Sequence, residues 1–396
     1  MIVLDDGSRK KEIYDMWQRN FHDPAAYAMF YFDEVYGKNE ILLNLEDKDG
    51  EETLKGMIHL NPYVLSVKGR PVKADYIVGV ATDEEFRRQG VMRELLVEGF
   101  AKMRSQGKIF TYLMPADENY YLPFDFRFGM SQTEQELEFL PKGEKEDRKY
   151  SFSTEETEEE LKYCACMENN VKSTMFDIFT EISLPYLHRL TKETGSEFGQ
   201  IIYVRKDGEY IGRFVADAEN DYLILSQIFC ADRSLREEFL REILFFCEKN
   251  YHYSRYQLIL DPSWEDVVKK PGPDGDIRWM PAKKVKIIMY RILNLERLGE
   301  FLTSDLDGDT DIFVEDGFLK EQEGCYHFSL KEGHVSVTKT EDNNPEGGRI
   351  AIGDLTQMIF SCTQEGLPET DRLTEKGKEI LSGILPLSKS CIMEIV

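Results

Sequence analysis

Arg87 and Arg88 stand side by side, followed by Gln89 and Gly90, at the head of the segment VMRELLVEGF. The chain carries 74 carboxylic side chains against 49 lysines and arginines, for a net charge of −25, so paired arginines here run against the overall balance. Where a strand hands over to a helix, the first backbone N–H groups lack intrahelical partners and carry the positive end of the helix dipole. Such a junction attracts anions. Glycine at position 90 lets the backbone turn tightly and a ligand approach the amides, while Arg87 and Arg88 add charge-assisted bonds to phosphate oxygens. A diphosphate is the ligand that best matches several N–H groups plus a cation. The same four residues also make an ordinary solvated basic turn, and taken alone they leave both readings open.

The elements that must present this junction follow from hydrophobic period and turn chemistry. A helix is expected over KKEIYDMWQRNF, then strands over EILLNLE, LKGMIHL, YVLSV and VKADYIVGVAT, with DKDG and KGRP as turns. This is an antiparallel meander feeding the quoted helix, in which Leu95, Leu96, Gly99, Phe100 and Met103 share a face and Gly107 supplies a stop. A strand, KIFTYLM, leads to the tyrosine-rich loop ADENYYLPFDFRFG. The polar stretch PKGEKEDRKYSFSTEETEEE marks a first domain boundary. Beyond it the meander-then-helix order repeats, ending in a helix with Leu235, Phe239, Leu240, Ile243, Leu244 and Cys247 on one face. That second helix is preceded by QIFCADRSLREEFL, without glycine or paired arginines, so no diphosphate is expected there. The cluster KKPGPDGDIRWMPAKK marks a second boundary, and the rest reads as a compact α+β module in which Asp354 caps a short helix. The expected domains are 1–150, 151–284 and 285–396.

With 396 residues, 41% hydrophobic and 12% aromatic, the chain has ample material for packed cores. No stretch approaches a membrane span, and charges interrupt the N-terminus where a signal peptide needs an apolar run. Seven cysteines, at 164, 166, 230, 247, 325, 362 and 391, lie mostly in apolar runs and suit buried thiols in a cytoplasmic protein. The acidic balance argues against nucleic acid; it suits cationic partners, and equally serves solubility. The six histidines and the Cys164–Cys166 pair show no metal spacing, and DLDGDTD, from Asp305, departs from a calcium loop, with Thr310 in place of glycine at its sixth position and Asp316 at its twelfth. No metal is expected.

The order of strand IVGVAT, loop RRQGVM, helix and strand IFTYLM resembles the acyl-CoA signature of the GCN5-related N-acetyltransferase (GNAT) superfamily, whose loop reads Arg/Gln-x-x-Gly-x-Gly/Ala. Met92 departs from its last position. That departure is similar to the enhanced intracellular survival (Eis) branch of bacterial acetyltransferases. The resemblance implies an α+β chain of two tandem GNAT-like domains with mixed, largely antiparallel sheets, the second degenerate, followed by a domain resembling sterol carrier protein. It implies acetyl-CoA as acyl donor, held by Val80, Ala81, Thr82, Arg87, Arg88, Gln89, Gly90, Val91, Met92 and Arg93. It also implies Tyr121 as general acid to the departing thiolate, with Tyr120 as the adjacent competitor and Asn119 near the cofactor arm. The apolar end, CIMEIV, is expected to be tucked away; the resemblance implies that the α-carboxylate of Val396 enters the site as base or orienter of the amine. A small cationic acceptor such as an aminoglycoside or polyamine and a hexameric assembly are further implications. The rivals are an apolar-ligand binding protein with a vestigial first domain, and an acetyltransferase acting on protein lysine.

Overall fold

The computed structural model describes residues 1–143, 149–341, 344–361 and 371–394. Cys362 and Val396 lie outside them. The chain folds as two compact units: Met1–Asp23, Val35–Met130 and Ile287–Val396 form the first, and Pro24–Glu34 with Ser131–Lys286 the second.

In chain order the first elements are β1 (Ile2–Leu4), α1 (Lys10–Asn20), α2 (Ala25–Phe30), β2 (Glu40–Lys48), β3 (Glu51–Val67), β4 (Arg70–Thr82), α3 (Val91–Ser105), β5 (Phe110–Leu113) and β6 (Arg127–Phe139). Strands β1 to β4 form the antiparallel meander, and α3 is the crossover that brings β5 in parallel beside β4. The helix buries Val91, Leu95, Leu96, Gly99, Phe100 and Met103, which is the apolar face its spacing specifies. One expectation changes: LKGMIHL and YVLSV belong to the single strand β3, uninterrupted at Pro62. Pairing with β2 ends at Glu40↔Leu60, so the missing N–H of Pro62 falls beyond the ladder on that side.

Next come β7 (Tyr150–Ser153), α4 (Glu158–Met175), β8 (Ile178–Thr180), α5 (Leu184–Ser196), β9 (Gln200–Lys206), β10 (Glu209–Ala218), β11 (Leu223–Cys230), α6 (Arg236–Tyr251) and β12 (Arg255–Leu260). The order repeats that of the first copy: antiparallel β9, β10 and β11, the crossover α6, then β12 parallel to β11. Helix α6 buries Phe239, Leu240, Ile243, Leu244 and Cys247 as its period requires, whereas Leu235 precedes the helix as its N-cap.

A buried ionic cluster braces this unit. Arg213 donates from Nε to Glu168 Oε2 at 2.9 Å and from Nη2 to Oε1 at 3.0 Å, and Lys172 pairs with Glu168 at 2.8 Å. Burial opposes the carboxylate charge, but Arg213 and then Lys172 outweigh it and hold Glu168 down to about 2. Because the folded value lies below the ordinary one of about 4.3, this stabilisation is complete above that pH and disappears as pH falls through about 2. Glu168→Gln should therefore cost about 3 kcal/mol at pH 7 by leaving Arg213 buried without its counter-charge. It should also flatten the acid limb of thermal midpoint against pH, which calorimetry reads directly.

The last elements are β13 (Gly272–Asp274), β14 (Ile277–Ile292), α7 (Leu295–Gly299), β15 (Thr303–Ser304), β16 (Gly308–Glu315), β17 (Gly324–Lys331), β18 (His334–Thr340), β19 (Arg349–Ala351), α8 (Ile352–Phe360), α9 (Glu375–Ser382), β20 (Ile384–Leu385) and β21 (Ser390–Cys391). Strand β14 pairs antiparallel with β5, Met289↔Leu113 to Ile292↔Phe110. A separate six-stranded sheet runs β19-β16-β17-β18-β15-β20. Helix α8 is where expected, but its N-cap is Ala351, and Asp354 sits in the first turn rather than capping it. The whole is an α+β fold of mixed, largely antiparallel sheets with helices.

Candidate active site

Strand β4 bulges just where the motif begins. It pairs His59↔Val78 and then Met57↔Ala81, so three steps on β4 match two on β3. Gly79 takes the bulge at φ +60°, and a Cβ there would stand 2.7 Å from Trp17 Cζ3, so the position accepts only glycine. On its other side β4 meets β5 at Tyr76↔Tyr112; β5 ends one residue later, while β4 runs on through Val80 and Ala81 to Thr82. The strands part here. A parted parallel pair leaves backbone polar groups on the facing edge for water or a ligand to satisfy.

Asp83 then caps a short turn, Glu84–Phe86, and the chain reaches α3 through Arg88 at φ 63° and Gly90 at φ 86°. Gly90 is the N-cap and no side chain caps the helix, so the N–H groups of Val91, Met92 and Arg93 open outward; Glu94 is the first to bond back, to the Gly90 carbonyl. A Cβ on Gly90 would meet nothing within 4 Å, which leaves room in front of these amides. Two left-handed residues so close together are the backbone geometry of an anion nest.

The cations around this nest divide the work. Arg88 is exposed and has no hydrogen-bond or ion-pair partner among the described residues. Arg87 is committed: it donates from Nη2 to Asn20 Oδ1 at 3.1 Å and from Nε to the Thr82 carbonyl at 3.4 Å, tying the turn to α1. Gln89 donates to the Glu85 carbonyl at 2.9 Å. Arg93 turns its guanidinium to 5.0 Å above the Phe318 ring. These residues fit a pyrophosphate, with the amides and Arg88 available to bind and Arg87 and Gln89 shaping the turn.

After β5, Asp117 caps the turn Glu118–Tyr120 and Tyr121 caps the next, Leu122–Phe124. Tyr120 is 59% exposed, whereas Tyr121 is half-buried with its ring edge-on to Phe126 at 5.9 Å. Burial, and then the neighbouring Tyr120, push the Tyr121 phenol up to about 12. It therefore stays protonated at neutral pH and can serve as a donor. Asn119 spends its side-chain amide on Asp117 Oδ1 at 2.8 Å, within its own turn.

The chain end reaches the same unit. The Ile392 N–H donates to Met130 Sδ at 3.1 Å, Cys391 and Ile392 are buried, and Glu394 is 7% exposed. Tyr112, the β5 residue paired with Tyr76 of β4, is fully buried and its hydroxyl has no hydrogen-bond partner among the described residues. Burial, and next the Glu394 carboxylate, push that phenol well above its ordinary value. Glu394 is thus buried in the neighbourhood of Tyr112. The sequence reading passed over it, although an acidic residue inside apolar CIMEIV was the available signal.

The second copy carries the same bulge with different contents. Val215↔Ser226 is followed by Arg213↔Phe229, and Gln227 takes the left-handed position at φ 47°. Trp264 donates from Nε1 to the Ile228 carbonyl at 2.9 Å, and Arg236, the first residue of α6, lies 4.9 Å over the Trp264 ring and bonds to Ser263 Oγ at 3.2 Å. Here protein side chains fill the space at the bulge and the helix start. No three His, Cys, Asp or Glu side chains gather to hold a metal among the described residues.

Residues 7–129 match the family model described as acetyltransferase (GNAT) domain. This segment is an acetyltransferase domain. The chain is an acyltransferase, and acetyl-CoA is the donor that such a domain uses. No curated protein matches. Several solved structures share the fold over nearly the full length. A probable N-acyltransferase from Enterococcus faecalis has 14% identity and TM-score 0.74, covering 98% of this chain and 97% of that one. A GCN5-related N-acetyltransferase from Anabaena variabilis has 12% identity and TM-score 0.75, covering 99% of each. Eis1 from Mycobacterium abscessus has 13% identity and TM-score 0.66, covering 97% and 96%. At these identities the likeness establishes fold for the acetyltransferase domain and the segments after it. No helix of the described residues is long and apolar enough to cross a membrane.

Proposed function

We propose that the protein transfers an acetyl group from acetyl-CoA to an amine of a small cationic acceptor, such as an aminoglycoside or polyamine, by direct attack in a ternary complex. Acetyl-CoA supplies the activated acetyl group. The amides of Val91, Met92 and Arg93, with Arg88, hold its pyrophosphate, and the bulged edge of β4 at Val80 orients the thioester carbonyl. Tyr121 gives its phenolic proton to the departing sulfur. Carboxylates at the chain end, Glu394 and the α-carboxylate of Val396, orient the amine and take or relay its proton. A free α-carboxyl near about pH 3.5 is a weak base, so the amine's proton leaves through a water relay.

The single observation that carries this reading is the open start of α3: an uncapped helix, an unobstructed Gly90 and a partnerless Arg88, within the same unit as a phenol held protonated. The second copy, with Trp264 and Arg236 at its bulge, serves as structure, in a three-domain plan of 1–150, 151–284 and 285–396 whose last part is sterol-carrier-like. A hexamer in the cytoplasm completes the proposal, and light scattering checks the assembly.

The deciding experiment reads thiol release from acetyl-CoA with tobramycin, spermidine or a lysine-containing peptide. Release with either of the first two is expected, and exclusive use of the peptide transfers the activity to protein lysine. In parallel, CoA at about 100 times its Kd should stabilise the full chain by about 2.7 kcal/mol. An unmoved melting temperature at millimolar CoA sinks the proposal.

A further inference from the structure

Arg291, a β14 residue, is completely buried with its partner Asp316, Nη2 to Oδ1 at 2.8 Å. Buried ion pairs are weak devices for stability, because apolar residues of similar volume often serve as well. What sets this pair apart is where its remaining donors go. Nε donates to the Phe124 carbonyl at 3.0 Å, and Nη1 to the Ile292 carbonyl at 2.7 Å. Phe124 closes the turn that Tyr121 caps, with its N–H on the Tyr121 carbonyl at 3.0 Å. The same guanidinium lies 4.4 Å from the centre of the Phe100 ring, in the middle of α3.

Asp316 extends the brace. Its Oδ1 also accepts the N–H groups of Phe318 and Leu319 at 3.0 and 2.9 Å, which fixes Phe318 against Phe124 at 5.2 Å and under Arg93 at 5.0 Å. Its Oδ2 accepts Gln322 Nε2 at 3.2 Å, and Gln322 Oε1 in turn accepts Arg104 Nη1, from the last turn of α3, at 3.1 Å. One buried pair therefore meets α3 directly at its middle and, through Phe318 and Gln322, at its beginning and end, and grips the backbone of the tyrosine loop. Rotation of that loop against α3 would break a charge-assisted bond in a dry interior, where it has no water to replace it.

From this we infer that Arg291, seated by Asp316, is a positioning residue for acyl transfer: it fixes the Tyr121 hydroxyl relative to the acetyl-CoA whose pyrophosphate α3 holds. The inference rests on the proposed role of Tyr121. Misplacing a reacting group by about 1 Å costs about 100-fold in rate, so the effect belongs in kcat.

The test compares the full chain with Arg291→Lys, which keeps the charge and loses the fork, and with Arg291→Met/Asp316→Asn, which leaves no uncompensated charge and keeps an acceptor for Phe318 and Leu319. The probes are acetyl-CoA and whichever of tobramycin, spermidine or the lysine peptide the full chain acetylates. The double variant should fold, with a cooperative melt and a CoA-induced shift like the parent's. Its kcat should fall about 100-fold while KM for acetyl-CoA stays within about threefold. Tyr121→Phe added to it should cost far less than in the parent, since a misplaced donor has little left to lose. A double variant with parental kcat, or an undiminished Tyr121→Phe effect in that background, overturns the positioning role and leaves Tyr121 as acid. A Tyr121→Phe change that is silent in the parent overturns the acid role, and the positioning role with it.

Discussion

Tyr121→Phe should lower kcat by about 100- to 1,000-fold, within the range that a positioned general acid contributes, and leave CoA binding unchanged. The reasons are local. The hydroxyl makes no hydrogen bond among the described residues, and the ring's edge contact with Phe126 survives the substitution. Tyr120→Phe, at a side chain 59% exposed, should stay within about twofold, because a solvent-facing phenol is not held in one orientation by packing. Steady-state kinetics by thiol release separates the two, and a larger loss at Tyr120 reassigns the acid. The pH profile adds a sign. With Tyr121 pushed up to about 12, the donor form persists through pH 10, so no alkaline fall is expected from it. The rising limb belongs to the acceptor ammonium, whose own value a negative environment raises. Activity should therefore climb into mildly alkaline pH, and a flat profile between 7 and 9 rules out amine deprotonation as the limiting event.

Gly90→Asp should weaken acetyl-CoA binding by about 100-fold, the scale on which a like charge set against an anion acts. The backbone there has φ 86°, a region aspartate and asparagine tolerate better than most residues, and the added Cβ meets nothing within 4 Å. The chain should accordingly fold with a loss of about 1 kcal/mol. Gly90→Asn is the control: it has the same shape and backbone preference without the charge, and should lose only about three- to tenfold. Isothermal titration reads both. Equal losses for the two would mean that the nest recognises shape rather than charge.

The uncapped start of α3 was largely legible in the primary structure because its parts are contiguous. Strand, glycine and helix start fall within a dozen residues, and the period of Leu95, Leu96, Phe100 and Met103 fixes which face of α3 turns inward. The same window does not tell the cations apart. Arg87, Arg88 and Arg93 look equivalent as letters, yet Asn20 and Phe318, neither nearby in sequence, claim two of them. Asp316 shows the limit most plainly. In sequence it is the last residue of a failed calcium-loop pattern; in the fold it anchors a buried arginine 25 residues upstream, a pairing no local period records. The two bulges make the complementary case. Gly79 announces its left-handed backbone, whereas Gln227 adopts the same conformation under tertiary constraint and gives no warning.

The brace on the tyrosine loop also sets a schedule for biosynthesis. Phe124 and Arg291 are 167 residues apart, and the chain visits another compact unit between them. At about 5 to 20 residues per second, a ribosome needs roughly ten seconds or more to travel from one to the other. Through that interval the tyrosine loop has no clasp from Arg291. Ribosome-bound chains that have not yet exposed Arg291 and Asp316 should accordingly turn over at least about 100-fold more slowly than the released protein.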